Sequence, residues 1–171
     1  MALIVEDGTG LSNSETYVSV NDATTLLAEV GVTDDWTSLA IEVQEGRLRR
    51  ATSTMDNQMF WYGELLVNTN SAIQALGFPR FGLVDTDNRV ILGVPRNIKE
   101  SCAELAYALG TQDIIADASG RNANSVKVGP VEVQISSAAK LKKLIPDSVL
   151  QKLTLYGRYK FQGRGMRKLA W

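Results

Sequence analysis

Histidine is missing from this 171-residue chain altogether, and cysteine occurs once. Without imidazole there is no Ser-His-Asp or Cys-His catalysis. The commonest zinc ligand and the commonest acid–base group are gone as well. Carboxylates are all that an enzyme could draw on. The lone thiol, Cys102, cannot close an internal disulfide. It stands in the apolar stretch Cys102-Ala103-Glu104-Leu105-Ala106, where a buried structural thiol is expected rather than a reactive one. No apolar run approaches the roughly 20 residues that span a bilayer. The start, Met1-Ala2-Leu3-Ile4-Val5-Glu6-Asp7, meets acid at once and has no basic region, so no signal peptide is expected. A soluble chain follows from this, one that works in cytosol or in a particle assembled there.

Recognisable cofactor and metal signatures are lacking too. There is neither a Gly-x-x-x-x-Gly-Lys loop nor a Gly-x-Gly-x-x-Gly turn after a strand. Asp85, Asp87 and Asn88 suggest half of a calcium loop, but the glycine and terminal glutamate are absent at the required spacing, so a turn is expected. Glu100 and Glu104 lie one helical turn apart with nothing flanking them to raise a pKa, and read as a solvated face. No catalytic, cofactor-binding or metal-ligating residue is assigned.

What the chain does have is an uneven charge. The net charge is -1, yet nine of the 18 basic residues and one of the 19 acids fall from Ala138 onward. An acidic body with a basic tail suits nucleic acid, an acidic protein surface, or a neighbouring copy's body.

Periodicity predicts a mainly α fold, and the chain divides into three parts. Residues 1–20, rich in Gly, Ser, Asn and Thr, read as an extended N-terminal arm. Residues 21–137 form the acidic body, and 138–171 a basic helix and tail. In the body, Asn21 caps a first helix stopped by Gly31, and a long helix runs from about Thr37 to Phe60 despite Gly46. Arg47, Arg49 and Arg50 there read as a solvated face balanced by Glu42 and Glu45. Ser71 caps a helical turn over 72–76, and 81–95 is an ordered loop or hairpin. The clearest helix spans about 97–116, with Asn97 as cap and Ile98, Cys102, Leu105, Ala106, Leu109 and Ile114 as its buried stripe. Strict alternation around Gly129-Pro130 predicts a β-ribbon near 126–135, projecting from the body. A last helix runs from Asp147 to about Tyr156.

The tail from Gly157 interleaves Arg158, Lys160, Arg164, Arg167 and Lys168 with Tyr159, Phe161 and Trp171. Such a mixture suits single-strand nucleic-acid binding, where cations meet phosphate and aromatics stack on bases. It equally suits a peptide anchor set in a partner's groove, and a merely solvated tail stands close behind.

Several short motifs, in order, resemble one phage family. They are Tyr17-Val18-Ser19-Val20-Asn21-Asp22-Ala23, Leu48-Arg49-Arg50-Ala51-Thr52, Phe60-Trp61-Tyr62-Gly63, and Ala75-Leu76-Gly77-Phe78-Pro79-Arg80-Phe81-Gly82. The Pro95-x-x-Ile98-Lys99 helix start and the Val128-Gly129-Pro130-Val131-Glu132-Val133 ribbon fit as well. Members are labelled head-to-tail connector, adaptor or head-completion proteins, or DnaT-like single-stranded-DNA-binding proteins. The likeness covers roughly Tyr17 to Ile135, and the tail after Ser136 departs by being longer and more basic. It implies a small helical bundle with a projecting β-hairpin and extended arms at both ends. The implied function is that of a non-enzymatic virion subunit, forming a ring of twelve beneath the portal at the head–tail interface and assembled in the host cytoplasm. Its partners would be its own copies, the portal protein, and tail or nozzle proteins. DNA would pass through the lumen without sequence-specific contact, and no membrane would be involved. The tail residues Arg158, Tyr159, Lys160, Phe161, Arg164, Arg167, Lys168 and Trp171 would anchor on the portal. Trp61, Phe78, Pro79, Arg80 and Gly82 would serve packing and subunit contact, Arg80 through a hydrogen-bond fork. A single-stranded-DNA-binding replication accessory protein is the alternative.

Overall fold

The computed structural model describes residues 3–69, 72–111, 125–128, 131–134 and 144–160. Among them lie five helices: α1 (Val20–Glu29), α2 (Asp34–Thr37), α3 (Ile41–Gln58), α4 (Arg96–Thr111) and α5 (Asp147–Leu153). Eight short strands pair only in twos. These are β1 (Met59–Trp61) with β8 (Gly157–Tyr159), β2 (Glu64–Leu65) with β5 (Arg80–Phe81), β3 (Asn68–Thr69) with β4 (Ala72–Ile73), and β6 (Ser125–Val128) with β7 (Val131–Gln134). The chain is thus mainly helical, as its periodicity predicts.

Helix α4 is the axis of the core, packing against α1, α3 and α5. Its expected stripe is buried at Ile98, Cys102, Leu105, Ala106 and Leu109. Ser101 and Ala103 are buried as well, and such small residues let neighbouring helices approach closely. Ile114 lies outside the described residues. Helix α1 is capped by Ser19, whose hydroxyl accepts from the Asp22 amide at 3.0 Å. The expected cap, Asn21, sits inside the helix instead.

The predicted long helix is broken in two at residues 38–40. Trp36 turns fully into the core and donates its indole N–H to Thr24 at 3.0 Å. The buried Gln44 side chain reaches back to the Trp36 carbonyl at 2.7 Å. Seating the indole takes the chain off the helical path, and α3 restarts at Ile41. Gly46 is accommodated within α3, where a Cβ would meet nothing within 4 Å.

The expected N-terminal arm is corrected, because residues 3–19 fold onto the body. The Glu6 amide donates to the Thr16 carbonyl at 2.9 Å, and Glu15 donates back to Ile4 at 2.8 Å. The Glu6 carboxylate is buried and accepts from the amides of Gly8, Gly10 and Leu11 and from the Ser14 hydroxyl, at 2.8 to 3.0 Å. A Gly- and Ser-rich segment looks flexible, but here one carboxylate gathers its loose donors. Tyr17 and Val18 then enter the core.

The predicted helical turn over 72–76 is corrected in the same way. Buried Gln74 accepts from the Val67 amide at 3.0 Å and donates to the carbonyls of Leu76 at 2.8 Å and Pro79 at 2.9 Å. One side chain therefore takes over the backbone groups that a helix would have used. The 81–95 segment is an ordered turn, as expected: Asp85 accepts from the amides of Asp87 and Arg89, both at 2.9 Å, and Asn88 adopts a φ of 59°. The β6–β7 ribbon matches its alternation, with Val126 opposite Val133 and Val128 opposite Val131. The last helix ends at Leu153 rather than Tyr156, and the chain continues as a strand of the body.

Phe78 lies at the aromatic centre of this core. It is fully buried and meets three rings edge-on: Trp61 at 5.1 Å, Tyr156 at 6.0 Å and Tyr17 at 6.4 Å. Phe78→Ala removes all three contacts and leaves a cavity. It should cost about 3–5 kcal/mol, read as a fall in the urea midpoint with an unchanged m-value.

Candidate binding surface

Strand β1 alternates, with Met59 buried and Phe60 44% exposed. Opposite Phe60 in the β8 ladder stands Arg158, while Tyr159 pairs with Met59. Register alone therefore sends Arg158 outward beside Phe60 and Tyr159 inward, where it is buried. The Arg158 guanidinium and the Lys160 ammonium each lie 5.2 Å from the centre of the Phe60 ring, within cation–π range. Lys160 also donates to the Asp56 carbonyl at 3.3 Å. Tyr62, 46% exposed, extends the aromatic edge and is held through its amide to the Tyr156 carbonyl at 2.8 Å.

This placement revises the expected tail anchor. The tail does not begin at Gly157, since residues 157–159 are a strand of the body. Arg158 and Lys160 remain at the surface, but Tyr159 packs inward and presents no face to a partner. Phe161, Arg164, Arg167, Lys168 and Trp171 lie outside the described residues. Phe60 was missed from the sequence because it was read as the end of a helix. The run Met59-Phe60-Trp61-Tyr62 carries a period-two signal, but three strand residues are too few to outvote the helix before them.

Beneath this edge sits Asp56, a buried carboxylate on α3 that sequence reading also missed. Its Oδ1 accepts from the Tyr17 hydroxyl at 2.6 Å and the Trp61 indole at 3.0 Å, and its Oδ2 accepts from the Gly77 amide at 2.9 Å. Tyr17 in turn accepts from the Phe78 amide at 3.2 Å. Burial pushes the Asp56 carboxyl above its ordinary 3.8, against the opposing pull of Tyr17, Gly77, Trp61 and Lys160. Gly77 is required here, since a Cβ would collide with the Trp61 ring and Asp56.

Arg80 clamps the adjoining loop from its other side. Its Nε donates to the Tyr62 carbonyl, Nη1 to Gly77 at 3.0 Å and Nη2 to Gly63 at 2.7 Å. The guanidinium is spent on backbone carbonyls. The Pro79 carbonyl accepts from Gln74 and Leu66. Gly82 does no packing: its φ of +79° demands glycine, while a Cβ there would meet nothing within 4 Å.

The segment between α3 and α4 is also the apolar part of the surface. Among the described residues, eight of the 13 exposed large apolar side chains fall between Phe60 and Leu92, with Phe81 66% and Leu92 80% exposed. So dense a cluster exceeds the scatter of single exposed apolar residues on ordinary surfaces.

The other candidates resolve into structure. Glu100 and Glu104 share a face, but they hold Lys152 of α5 at 3.3 and 2.6 Å rather than facing each other across a cleft. Burial pushes the Glu100 carboxyl up, yet Arg96 and Lys152 outweigh it and leave it below its ordinary value. Arg49 bridges Glu45 and Glu15, tying α3 to the N-terminal turn. Among the described residues, no group of three carboxylates or thiols is placed to hold a metal, and no helix is long and apolar enough to cross a membrane. Cys102 is buried against Thr52 at 3.2 Å, and burial pushes its thiol up to about 11.

The arrangement defines a small, mainly helical protein with a basic–aromatic strand edge beside an apolar loop surface. The chain belongs to the family described as "Putative DnaT-like ssDNA binding protein", whose model matches residues 1–167. That match runs well past Ser136, so most of the basic tail is part of the family pattern rather than a departure from it. No curated protein and no solved structure matches the chain.

Two outcomes follow from the buried groups. The raised Asp56 pKa means that the folded chain holds this proton longer than the unfolded one, so the group's contribution to stability falls as pH climbs from 3.8 through the folded value. Asp56→Asn cannot titrate, and the wild-type margin over it should shrink across that window. Parallel urea-midpoint curves for the two proteins would contradict this. Cys102 should resist alkylation by iodoacetamide near neutral pH until denaturant is added, as followed by intact mass.

Proposed function

We propose that this protein is a structural, non-enzymatic subunit of a tailed-phage head-to-tail connector. In this reading it forms a ring of twelve beneath the portal, joins portal to tail around the DNA channel, and resides in the virion after assembly in the host cytoplasm. The observation that carries it is the exposed apolar surface between Phe60 and Leu92. Subunits that work by binding neighbours display such surfaces, and core positions of protein interfaces are depleted in charge. The opposed charges of body and tail favour a contact between unlike faces, which is the kind that closes rings.

Native mass and negative-stain imaging, alone and with the cognate portal protein, test the proposal. Rings are expected, with portal binding lost on deleting residues 161–171, a cut that spares β8. A persistent monomer that ignores the portal would overturn it.

One observation favours a second reading, a single-stranded-DNA-binding accessory protein. Phe60 stands at the surface with Arg158 and Lys160 both 5.2 Å from its ring, so a stacking ring and phosphate-binding cations share one edge of the body. The family's description points the same way. On this reading Phe60→Ala weakens binding to oligo(dT) by about 1–3 kcal/mol without changing its salt dependence. Arg158→Gln lowers the slope of log K against log salt by about one unit. Fluorescence anisotropy across a salt series separates the two effects, and unaltered binding in both variants would dismiss this site.

A further inference from the structure

The ring reading leaves open which surfaces meet between copies, and the inference below rests on that reading. The loop segment of residues 62–95 carries five charged side chains, and four are already engaged within it. Arg80 is held by three carbonyls, while Arg89 pairs with Asp85 at 2.8 Å and Asp87 at 2.9 Å. Glu64 alone has no such partner printed by the geometry of the segment. Around these closed pairs stand Leu66, Ile73, Phe81, Val90 and Leu92, between 46% and 80% exposed. Such a surface offers apolar area with almost no free charge. It suits neither a nucleic acid nor a strongly charged peptide, and its occupant must be apolar and close to neutral.

The chain itself contains a segment of that chemistry. In the β6–β7 ribbon, Lys127 stands opposite Glu132, so the two charges of the ladder cancel. Positions opposite one another, and positions two apart along a strand, lie on the same side of a ladder. The register therefore assigns Val126, Val128, Val131 and Val133 to one side, and Ser125, Lys127, Glu132 and Gln134 to the other. A two-stranded ribbon is marginal alone and gains from being covered on its apolar side. We infer that the β6–β7 ribbon of one copy docks, valine side down, on the 62–95 loop surface of the next copy. The two faces differ, so the contact is heterologous. It repeats around a ring instead of closing a two-fold dimer.

Complementation between two interface variants tests this. The loop variant carries Phe81→Glu and Leu92→Glu, both at exposed positions. The ribbon variant carries Val126→Lys and Val133→Lys, with far-ultraviolet circular dichroism confirming that each stays folded. Native mass spectrometry should find each variant alone as a monomer. Their mixture should give a one-to-one heterodimer that goes no further, because one intact ribbon meets one intact loop surface. Wild-type rings that survive in both variants would overturn the ribbon contact while leaving the ring itself standing. Loss of rings with no rescue on mixing would overturn it too, pointing to a contact between like faces. A wild-type chain that never assembles, with or without portal, would overturn the ring reading along with it.

Discussion

A single buried carboxylate ties this fold together. Asp56 draws in donors from three separate places: Tyr17 near the start, Trp61 on β1 and the Gly77 amide in the loop. An unpaired carboxylate at this depth would be costly, and each donor offsets part of its desolvation. Meeting its needs fixes where Tyr17, Trp61 and Phe78 must stand, and those rings form the aromatic centre. That centre in turn holds Tyr156 at 6.0 Å and so brings the α5–β8 segment home. The exposed strand edge is a by-product, since once Met59 and Tyr159 face inward, Phe60 and Arg158 can only face out.

Two more buried polar side chains work by the same logic. Glu6 gathers the amides of a glycine-rich turn, and Gln74 gathers the backbone groups of the loop before Phe78. Each replaces secondary structure with side-chain hydrogen bonds. The result is a chain of modest helical content whose irregular parts are nevertheless well defined.

The same logic explains what could be read from sequence. Helices α1, α3 and α4 announce themselves, because apolar residues recur at helical spacing over ten residues or more. The ribbon was legible from strict alternation, and the turn at Asp85 from its Asp and Asn residues. The N-terminal turn, β1 and β8 were not, since strands of three residues carry too little period. Asp56, Glu6 and Gln74 were missed for a different reason. A polar residue is assumed to face water, and nothing local says that distant donors will converge on it. For the surface, Arg158 and Lys160 were found by composition, whereas Phe60 and the inward turn of Tyr159 needed the register.

The aromatic centre also bears on how the protein is made. Its four rings come from residues 17, 61, 78 and 156, and β1 finds its ladder partner about a hundred residues downstream. Contacts so distant along the chain form late, after the entropy of closing a long loop has been met. On a ribosome, helices α1, α3 and α4 can emerge and associate early, but the strand that closes over Trp61 is still inside the exit tunnel. The subunit therefore cannot present its finished Phe60 edge until synthesis is nearly over, which keeps half-made chains from competing for the partners of complete ones.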